Sequence, residues 1–482
     1  MENKGTDDSY SHILKYTGLF GGVQGLNILI GLIRTKLVAL ILGPHGMGLI
    51  SLYNSTIKLV SDSSNLGLSM SAVKNLSPDF EAGREQEARH TIKLVRSWSS
   101  VTALAGMLLC ALLSPLLNQV TFNAENHTLQ YFLLSPVVGL MAVTSGETAI
   151  LKSARRLKQL AAISVYNVIG LLVTSIPIYI LYGEQGIVPS LLIGAFFQML
   201  LTIGYSYKLF PPRISLSFQF LRNDHGMIKL GIAFVLAGIL GSGAEFVVRS
   251  FLNRAGSLDT VGLYNAAYMM VMTYAGVVFT SMETDYFPRL SAASRERLNE
   301  IVNRQIEVSL LVVSPLLIVF IIGMPILLPL LYSGKFLPAL GMIQVSVLAM
   351  YLRAINLPIA YIPLSRGDSR SYLLMEGIYD MAMVLLVITG YRHQGLFGIG
   401  VALTALAVTD FIVLCLYMRH KYGYRLSASV LKYATAQCSV GLLAYALTRT
   451  TLSWHYWAGG IGLFCISAAF SLWILGIKKN KP

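Results

Sequence analysis

Five basic residues lie inside long apolar stretches of the sequence, where a charge is unfavourable: Arg34, Lys36, Lys58, Arg249 and Arg353. An arginine at the centre of a membrane-spanning helix costs about 3 kcal/mol on insertion scales, so such a residue normally faces a hydrated interior. If these side chains line one cavity, its positive charge attracts a multiply charged anion. The planar guanidinium group suits phosphate in particular. We therefore predict a phosphate-binding cavity at membrane depth.

Local pairing is the alternative interpretation for two of the five. Lys58 and Asp62 are four residues apart, and so are Glu245 and Arg249. Residues at this spacing share one face of a helix, and the acidic-first order of the second pair is the favourable one. Both interpretations stay open for these two cations.

Arg34 and Arg353 have no acidic residue three or four positions away, so a neighbouring turn of helix cannot neutralise either charge. Lys36 is predicted near the outer membrane interface, where a lysine can extend its ammonium group into water.

Acidic residues in the same apolar stretches are candidates for coupling to an ion gradient: Asp62, Glu147, Glu245, Asp380 and Asp410. Glu376 lies four residues before Asp380, so the two carboxylates would repel each other, and one of them could exchange a proton. Glu376, however, falls near the predicted cytoplasmic end of its span, where we interpret it as simply solvated.

No constellation of residues indicates catalysis. The eight histidines lie near span ends without metal-ligand spacing, and the four cysteines are isolated in apolar runs. There is no glycine-rich phosphate loop followed by Lys and Ser or Thr. We predict a protein that is not an enzyme, with no cofactor and no direct use of ATP.

The elements that must position these charges are membrane-spanning helices. The 482 residues are 55% hydrophobic and only 12% charged, whereas soluble domains carry about 25% charged residues. About 20 apolar residues suffice to cross the bilayer as a helix. Fourteen such runs predict an all-α integral membrane protein: 13–41, 46–73, 94–117, 128–151, 160–182, 187–209, 228–252, 261–287, 306–331, 337–363, 371–390, 396–418, 430–448 and 456–477.

The loops between these runs predict the orientation. Most of the 37 Lys and Arg residues fall at the ends on one side, and only Arg254, Lys335, Arg392 and Arg449 fall on the other. Positive charge marks the cytoplasmic side, so both termini are predicted inside. Basic residues spread over many short loops also argue against nucleic acid as a partner. The longest internal loops, 75–91 and 210–228, are too short for a soluble domain.

An internal repeat at an offset of 214 residues divides the chain. Gly48-Leu49 corresponds to Gly262-Leu263, and Pro115-Leu116-Leu117 to Pro329-Leu330-Leu331. Two six-span lobes, 1–210 and 225–419, are predicted, with two additional spans in 430–477. Both lobes begin inside, so they are parallel repeats, an arrangement of alternating-access carriers around a central cavity.

Two motifs carry a family resemblance. Arg34-Thr35-Lys36-Leu37-Val38-Ala39 leads into Leu42-Gly43-Pro44-His45-Gly46-Met47-Gly48-Leu49, and Asn65-Leu66-Gly67-Leu68-Ser69-Met70-Ser71-Ala72 closes the second span. With twelve duplicated spans plus two, the chain resembles the bacterial polysaccharide flippases of the O-antigen type. These belong to the multidrug/oligosaccharidyl-lipid/polysaccharide exporter superfamily.

The resemblance implies a function in lipopolysaccharide or similar surface polysaccharide biosynthesis. Such a flippase moves an undecaprenyl-pyrophosphate-linked oligosaccharide from the cytoplasmic to the periplasmic leaflet of the bacterial inner membrane. Implied partners are this glycan, membrane lipid, a coupling proton or sodium ion, and polysaccharide polymerase machinery. Cavity arginines of the family are thought to engage the pyrophosphate, a role that Arg34, Arg249 and Arg353 fit by depth and residue type.

Three alternatives remain. A cation-coupled multidrug exporter of the same superfamily would need an acidic, apolar cavity, and a lipid II flippase would differ in being essential for cell-wall synthesis. A membrane glycan polymerase or ligase would need a substantial external loop, whereas the longest external loop here, 118–127, is short.

Overall fold

The computed structural model describes the backbone of residues 4–123, 125–215, 226–451 and 454–479. It describes the side chains of residues 25–123, 125–215, 235–276, 278–279, 286–451 and 454–476. Throughout these ranges the regular structure is helical and no strand is formed, as predicted. Residues 216–225 of the predicted loop 210–228 lie outside the described residues.

The long helices follow the apolar runs of the sequence closely. They are α1 (Lys4–Ser64), α2 (Leu68–Glu81), α3 (Glu85–Thr121), α4 (Thr128–Ser153), α5 (Leu157–Tyr182), α6 (Ile187–Leu209), α7 (Gly226–Ala255), α8 (Leu258–Tyr268), α9 (Val277–Ser291), α10 (Leu298–Leu331), α11 (Leu340–Ser365), α12 (Ser369–Tyr422), α13 (Ala428–Leu447) and α14 (Trp454–Lys479). Short 3₁₀ turns at Gly183–Gly186 and Gly334–Ala339 precede α6 and α11, and the π-helical segment Met269–Ala275 joins α8 to α9.

Two helices contain sharp kinks that separate predicted spans. In α1 the kink is at Gly43, with φ 64° and ψ −168°, directly before Pro44. In α12 it is at Gly395, with φ 58° and ψ −141°. Only glycine adopts this backbone region without large strain. A glycine is therefore required at each of these two kinks.

Nine stretches of the described residues are long and apolar enough to cross a membrane. Three of them, 25–64, 157–209 and 369–422, hold 40, 53 and 54 residues, enough for two crossings each at about 20 residues per crossing. The chain is a multi-pass, all-α membrane protein, and its helices are compatible with fourteen crossings.

The prediction of a loop over 75–91 is wrong for most of that range. Helix α2 continues to Glu81, and α3 already begins at Glu85. Residues beyond the bilayer lack an apolar signal, but ion pairs at helical spacing, such as Arg89 with Glu85 at 3.3 Å, support the helix in water. At 37 residues, α3 is about 55 Å long and projects well past a bilayer of about 30 Å.

The chain forms two compact units, Met1–Ser242 (unit 1) and Gly243–Pro482 (unit 2). In unit 1, α4 packs along α3 and α6, and α5 packs along α1. In unit 2, α11 packs between α10 and α12, while α13 and α14 pack against α10. The predicted grouping into lobes 1–210 and 225–419 with two additional spans in 430–477 stays a prediction.

Candidate functional site

Arg34 lies half-buried on α1 in unit 1. Its Nε donates a hydrogen bond to Ser175 Oγ on α5 at 3.1 Å. A hydroxyl group carries no charge, and Arg34 forms no ion pair with a described residue. Its guanidinium charge is therefore oriented but not neutralised. Of the other two predicted cations of this unit, Lys36 is half-buried and Lys58 is exposed.

Arg249 in unit 2 is only 7% exposed and is committed to local partners. Its Nη1 lies 3.3 Å from Glu245 Oε2, so the ion pair allowed by the four-residue spacing is present. The guanidinium group also stacks near the rings of Tyr264 and Tyr268, at 5.8 and 6.0 Å from their centroids. Arg249 and Glu245 therefore neutralise each other in this conformation.

Arg353 lies on α11 and lines a cavity of about 280 Å³ within unit 2. Its Nη1 contacts Met272 Sδ at 3.8 Å, and it forms no salt bridge with a described residue. Tyr268 and Tyr379 contribute phenolic groups to the same cavity. Arg353 therefore presents a positive charge to a partly polar cavity.

Two carboxylates face this cavity, Asp410 and Glu376 on α12. Asp410 Oδ2 accepts a hydrogen bond from Asn356 Nδ2 at 2.9 Å, and Glu376 is hydrogen-bonded to Tyr372. The interpretation of Glu376 as a simply solvated residue is wrong. The kinked α12 packs along α11, and that packing brings Glu376 into electrostatic contact with Arg353.

Asn356 was not singled out from the sequence, although it is an isolated amide in an apolar run. Its Nδ2 donates to both Ala407 O, at 3.0 Å, and Asp410. Its Oδ1 is buried and has no hydrogen-bond partner among the described residues. A buried unsatisfied oxygen is unfavourable, and a bound cation, proton donor or water would satisfy it.

The other predicted acids have different surroundings. Asp380 is 7% exposed on α12 and is not part of the cavity lining. Asp62 is half-buried near the end of α1. The role of Asp62 and Asp380 in ion coupling therefore stays a prediction.

Glu147 forms a buried ion pair with Arg96 in unit 1. Arg96 Nε and Nη2 donate to the two oxygens of Glu147 at 2.7 and 3.1 Å, and both side chains are almost fully buried. Ser206 Oγ donates to the same carboxylate at 2.6 Å. Both oxygens of Glu147 are thus occupied, and Arg96, predicted only as a cytoplasmic charge, is an internal partner.

A second polar cluster lies at the predicted cytoplasmic end of unit 2. Asp368, the residue before α12, accepts hydrogen bonds from Lys421 Nζ at 2.6 Å and from Tyr422 Oη at 2.7 Å. The hydrogen bond from Lys421, followed by that from Tyr422, lowers the pKa of Asp368 below its ordinary value. The cluster joins the beginning of α12 to its end.

The unit 2 cavity contains side chains of the kind that bind ions. Asp410, Glu376 and Asn356 supply oxygen atoms, which suit a proton or a hard cation, and Arg353 supplies a competing positive charge. Among the described residues, no group of three or more His, Cys, Asp or Glu side chains is arranged to hold a metal. The arrangement fits exchange of a small ion better than bond-making chemistry.

Comparison with known proteins agrees with these observations. A family profile described as "Polysaccharide biosynthesis protein" matches residues 37–340, which is more than half of the chain. A search of the curated proteins finds no significant match.

Three solved structures share the fold. One is a lipid II flippase MurJ in an inward closed conformation, with 14% identity and a TM-score of 0.71, covering 95% of this chain and 99% of that one. Another is an inward-facing multidrug resistance MATE family transporter of the MOP superfamily, with 15% identity and a TM-score of 0.69, covering 82% and 94%. The third is an outward-facing multidrug resistance MATE family transporter of the MOP superfamily, with 14% identity and a TM-score of 0.58, covering 83% of this chain and 93% of that one. At these identities the likeness concerns the fold alone.

Proposed function

The chain belongs to the polysaccharide biosynthesis protein family, and from this premise we propose that it is a flippase for lipid-linked oligosaccharide. Its substrate is an undecaprenyl-pyrophosphate-linked repeat unit of O-antigen or a similar surface polysaccharide. The protein moves this unit from the cytoplasmic to the periplasmic leaflet of the bacterial inner membrane by alternating access. Both of its termini lie in the cytoplasm.

The observation that carries the proposal is a pair of intramembrane arginines that form no salt bridge with a described residue. Arg34 in unit 1 contacts only a neutral hydroxyl, and Arg353 in unit 2 forms no salt bridge with a described residue. A guanidinium group in an apolar helix is costly unless an anion or water compensates it. A pyrophosphate head group provides that compensation, and it needs such a partner to cross the hydrocarbon region.

Coupling to an ion gradient is supported by the unit 2 cavity. A proton or sodium ion bound by Asp410, Glu376 and Asn356 would offset the negative charge beside Arg353. Without the ion, the negative charge of these carboxylates offsets that of Arg353, which becomes a poorer partner for phosphate. Ion occupancy and substrate binding are linked in this way, because both act on the charge of one guanidinium group.

The test replaces Arg34 and Arg353 by alanine, singly, in cells that depend on this protein for surface polysaccharide. Polysaccharide export is compared at equal protein level, and we expect a loss of at least about tenfold in each variant, the equivalent of one charge-assisted contact. Lysine at position 353 should restore part of the export. Arg449→Ala is the control, since Arg449 is exposed beside Tyr445. Normal export in both alanine variants would refute the phosphate role.

A cation-coupled multidrug exporter is the second candidate, favoured by the two carboxylates in the unit 2 cavity. Such an exporter would use Asp410 and Glu376 to bind an organic cation directly. Deleting the gene would then raise drug susceptibility and leave the surface glycan unchanged. A lipid II flippase would instead make the gene essential for growth, and it would accumulate a cell-wall precursor on depletion.

A further inference from the structure

A separate cavity of about 430 Å³ lies at the predicted cytoplasmic end of unit 1. None of the predicted site residues lines it. Four segments meet there: the end of α2, the beginning of α3, the turn before α5, and the extended segment 210–213 after α6. The cavity is as large as many small-molecule sites.

The lining carries uncompensated positive charge. Its two acidic residues have their own partners, since Asp79 pairs with Arg84 at 2.7 Å and Glu85 pairs with Arg89 at 3.3 Å. The two remaining arginines, Arg156 and Arg213, line the same cavity. Neither side chain forms a hydrogen bond or an ion pair with a described residue, so two guanidinium groups are available to a ligand.

The segment that bears Arg213 is held firmly against α3. Arg96 donates to two carbonyl groups at the beginning of segment 210–215, at 2.8 and 3.0 Å. Ser97 Oγ accepts the N–H group at the end of the segment at 2.9 Å. The backbone on both sides of Arg213 is therefore anchored, and a ligand need not order it on binding.

Arg156 is positioned by a tight turn between α4 and α5. Its backbone N–H donates to Leu151 O at 2.9 Å, and the preceding Arg155 adopts a left-handed conformation with φ 51°. Arg155 pairs with Glu81 outside the cavity. Of these two adjacent arginines, Arg155 is paired outside the cavity, and only Arg156 lines it.

The floor of the cavity is apolar. The rings of Phe80 and Phe210 lie in contact, with centroids 5.5 Å apart, and Ile92 and Leu209 extend this surface. At this level α3 and α6 pass from polar into apolar sequence, as expected of helices that enter a bilayer. An occupant must therefore combine an anionic group with hydrocarbon, and a free phosphate would leave the floor uncovered.

We propose that this cavity binds the head group of an anionic phospholipid from the cytoplasmic leaflet. Arg156 and Arg213 bind its phosphate, and the aromatic floor contacts the glycerol backbone and the first acyl carbons. Basic pockets at the cytoplasmic ends of membrane helices suit such head groups. The lipid would join the α2–α3 corner to the segment after α6 and thereby stabilise unit 1. This inference does not depend on the transported substrate.

The experiment compares wild-type protein with the double variant R156Q/R213Q, purified in detergent, by native mass spectrometry with added lipid. Wild type should bind phosphatidylglycerol in preference to phosphatidylethanolamine, and the double variant should bind phosphatidylglycerol at least about tenfold more weakly, because two charge-assisted contacts are lost. Both arginines are exposed, so folding should persist, and an unchanged melting temperature without lipid verifies it.

Two controls isolate the cavity. R155Q removes an adjacent arginine that pairs outside it. R304Q removes an arginine from a different cavity, in unit 2, whose lining has no aromatic residue. Both variants should bind phosphatidylglycerol as wild type does. Equal binding by R156Q/R213Q and wild type would refute the proposal.

A competition experiment with a soluble phosphate compound distinguishes a bound lipid from a bound free phosphate. Glycerol 1-phosphate at millimolar concentration should displace phosphatidylglycerol poorly, because it cannot cover the floor. Phe80→Ala should weaken lipid binding several-fold without the loss of a charge. Full displacement by glycerol 1-phosphate, together with unchanged lipid binding in Phe80→Ala, would assign the cavity to a soluble phosphate and refute the lipid.

Discussion

The two units use their buried polar groups differently. In unit 1 a buried ion pair, Arg96 with Glu147, fastens the chain after α6 to α3. In unit 2 the corresponding attachment, of the chain after α12 to α10, uses the neutral amide of Asn303. Three other charged residues of unit 2, Arg353, Glu376 and Asp410, line a cavity. The same structural task is thus performed by charge in one unit and by amide hydrogen bonds in the other.

The difference separates charges that hold the structure from charges that remain available. Glu147 has both oxygens occupied by protein donors, whereas Asp410 accepts one hydrogen bond, from Asn356. Replacing a structural charge should cost stability, and replacing an available charge should cost transport. The four predictions below test this distinction, from the largest expected effect on stability to the smallest.

Glu147→Leu should have the largest effect, because it leaves the buried guanidinium group of Arg96 without its counter-ion. Breaking a buried pair in this way typically costs about 3–5 kcal/mol. We expect a large fall in melting temperature in detergent and a low yield of protein. The double variant Arg96→Met/Glu147→Leu removes both charges and should be less destabilised. A double variant that is at least as unstable as the single one would contradict the counter-ion argument.

Asn303→Ala should have a smaller effect. Asn303 is 8% exposed, and its Oδ1 accepts from Tyr424 Oη at 3.2 Å and from the N–H group of Ser427 at 3.0 Å. Leaving these donors unsatisfied costs about 1–3 kcal/mol, and no charge is stranded. The melting temperature should fall by less than in Glu147→Leu. Asn299→Ala, which loses one exposed hydrogen bond to the Arg425 N–H group, is the matched control.

Lys421→Met should have a small, pH-dependent effect. The pKa of Asp368 is lowered in the folded protein, chiefly by Lys421. A lowered carboxylate pKa gives stability that is present above the ordinary value of 3.8 and is lost as the pH falls. Wild type should therefore melt above Lys421→Met at pH 7, and the gap should narrow only as the pH falls below 3.8 towards the lowered pKa of Asp368 in the folded protein. A gap that does not change with pH would show that packing, not charge, is responsible.

Much of the helical architecture was predictable from the sequence, because each crossing needs an apolar run of fixed length. The kink at Gly43-Pro44 and the pairing of Glu245 with Arg249 also follow from local spacing. The loop prediction over 75–91 failed where helix continues in water, since hydropathy responds only to the bilayer. Polar residues at helical spacing were the missed signal.

The polar contacts across helices were not predictable from one sequence. Arg96 and Glu147 are 51 residues apart, and nothing in either segment indicates that α3 and α4 bring them together. Glu376 was misjudged for the same reason, because the packing of α12 along α11 decides what its side chain faces. Sequence position gives depth in the membrane, whereas the neighbouring helix gives the partner.

Asp410→Asn should change stability least, by less than about 1 kcal/mol, because the amide oxygen can still accept the hydrogen bond from Asn356. Transport should nevertheless fall at least about tenfold, since a neutral amide cannot bind and release a coupling ion in response to the charge of Arg353. The measurements are the melting temperature in detergent and polysaccharide export at equal protein level. Glu147→Gln is the matched carboxylate-to-amide control and should lose stability and export together. If Asp410→Asn were as unstable as Glu147→Gln, both carboxylates would be structural, and the difference between the two units would not concern transport.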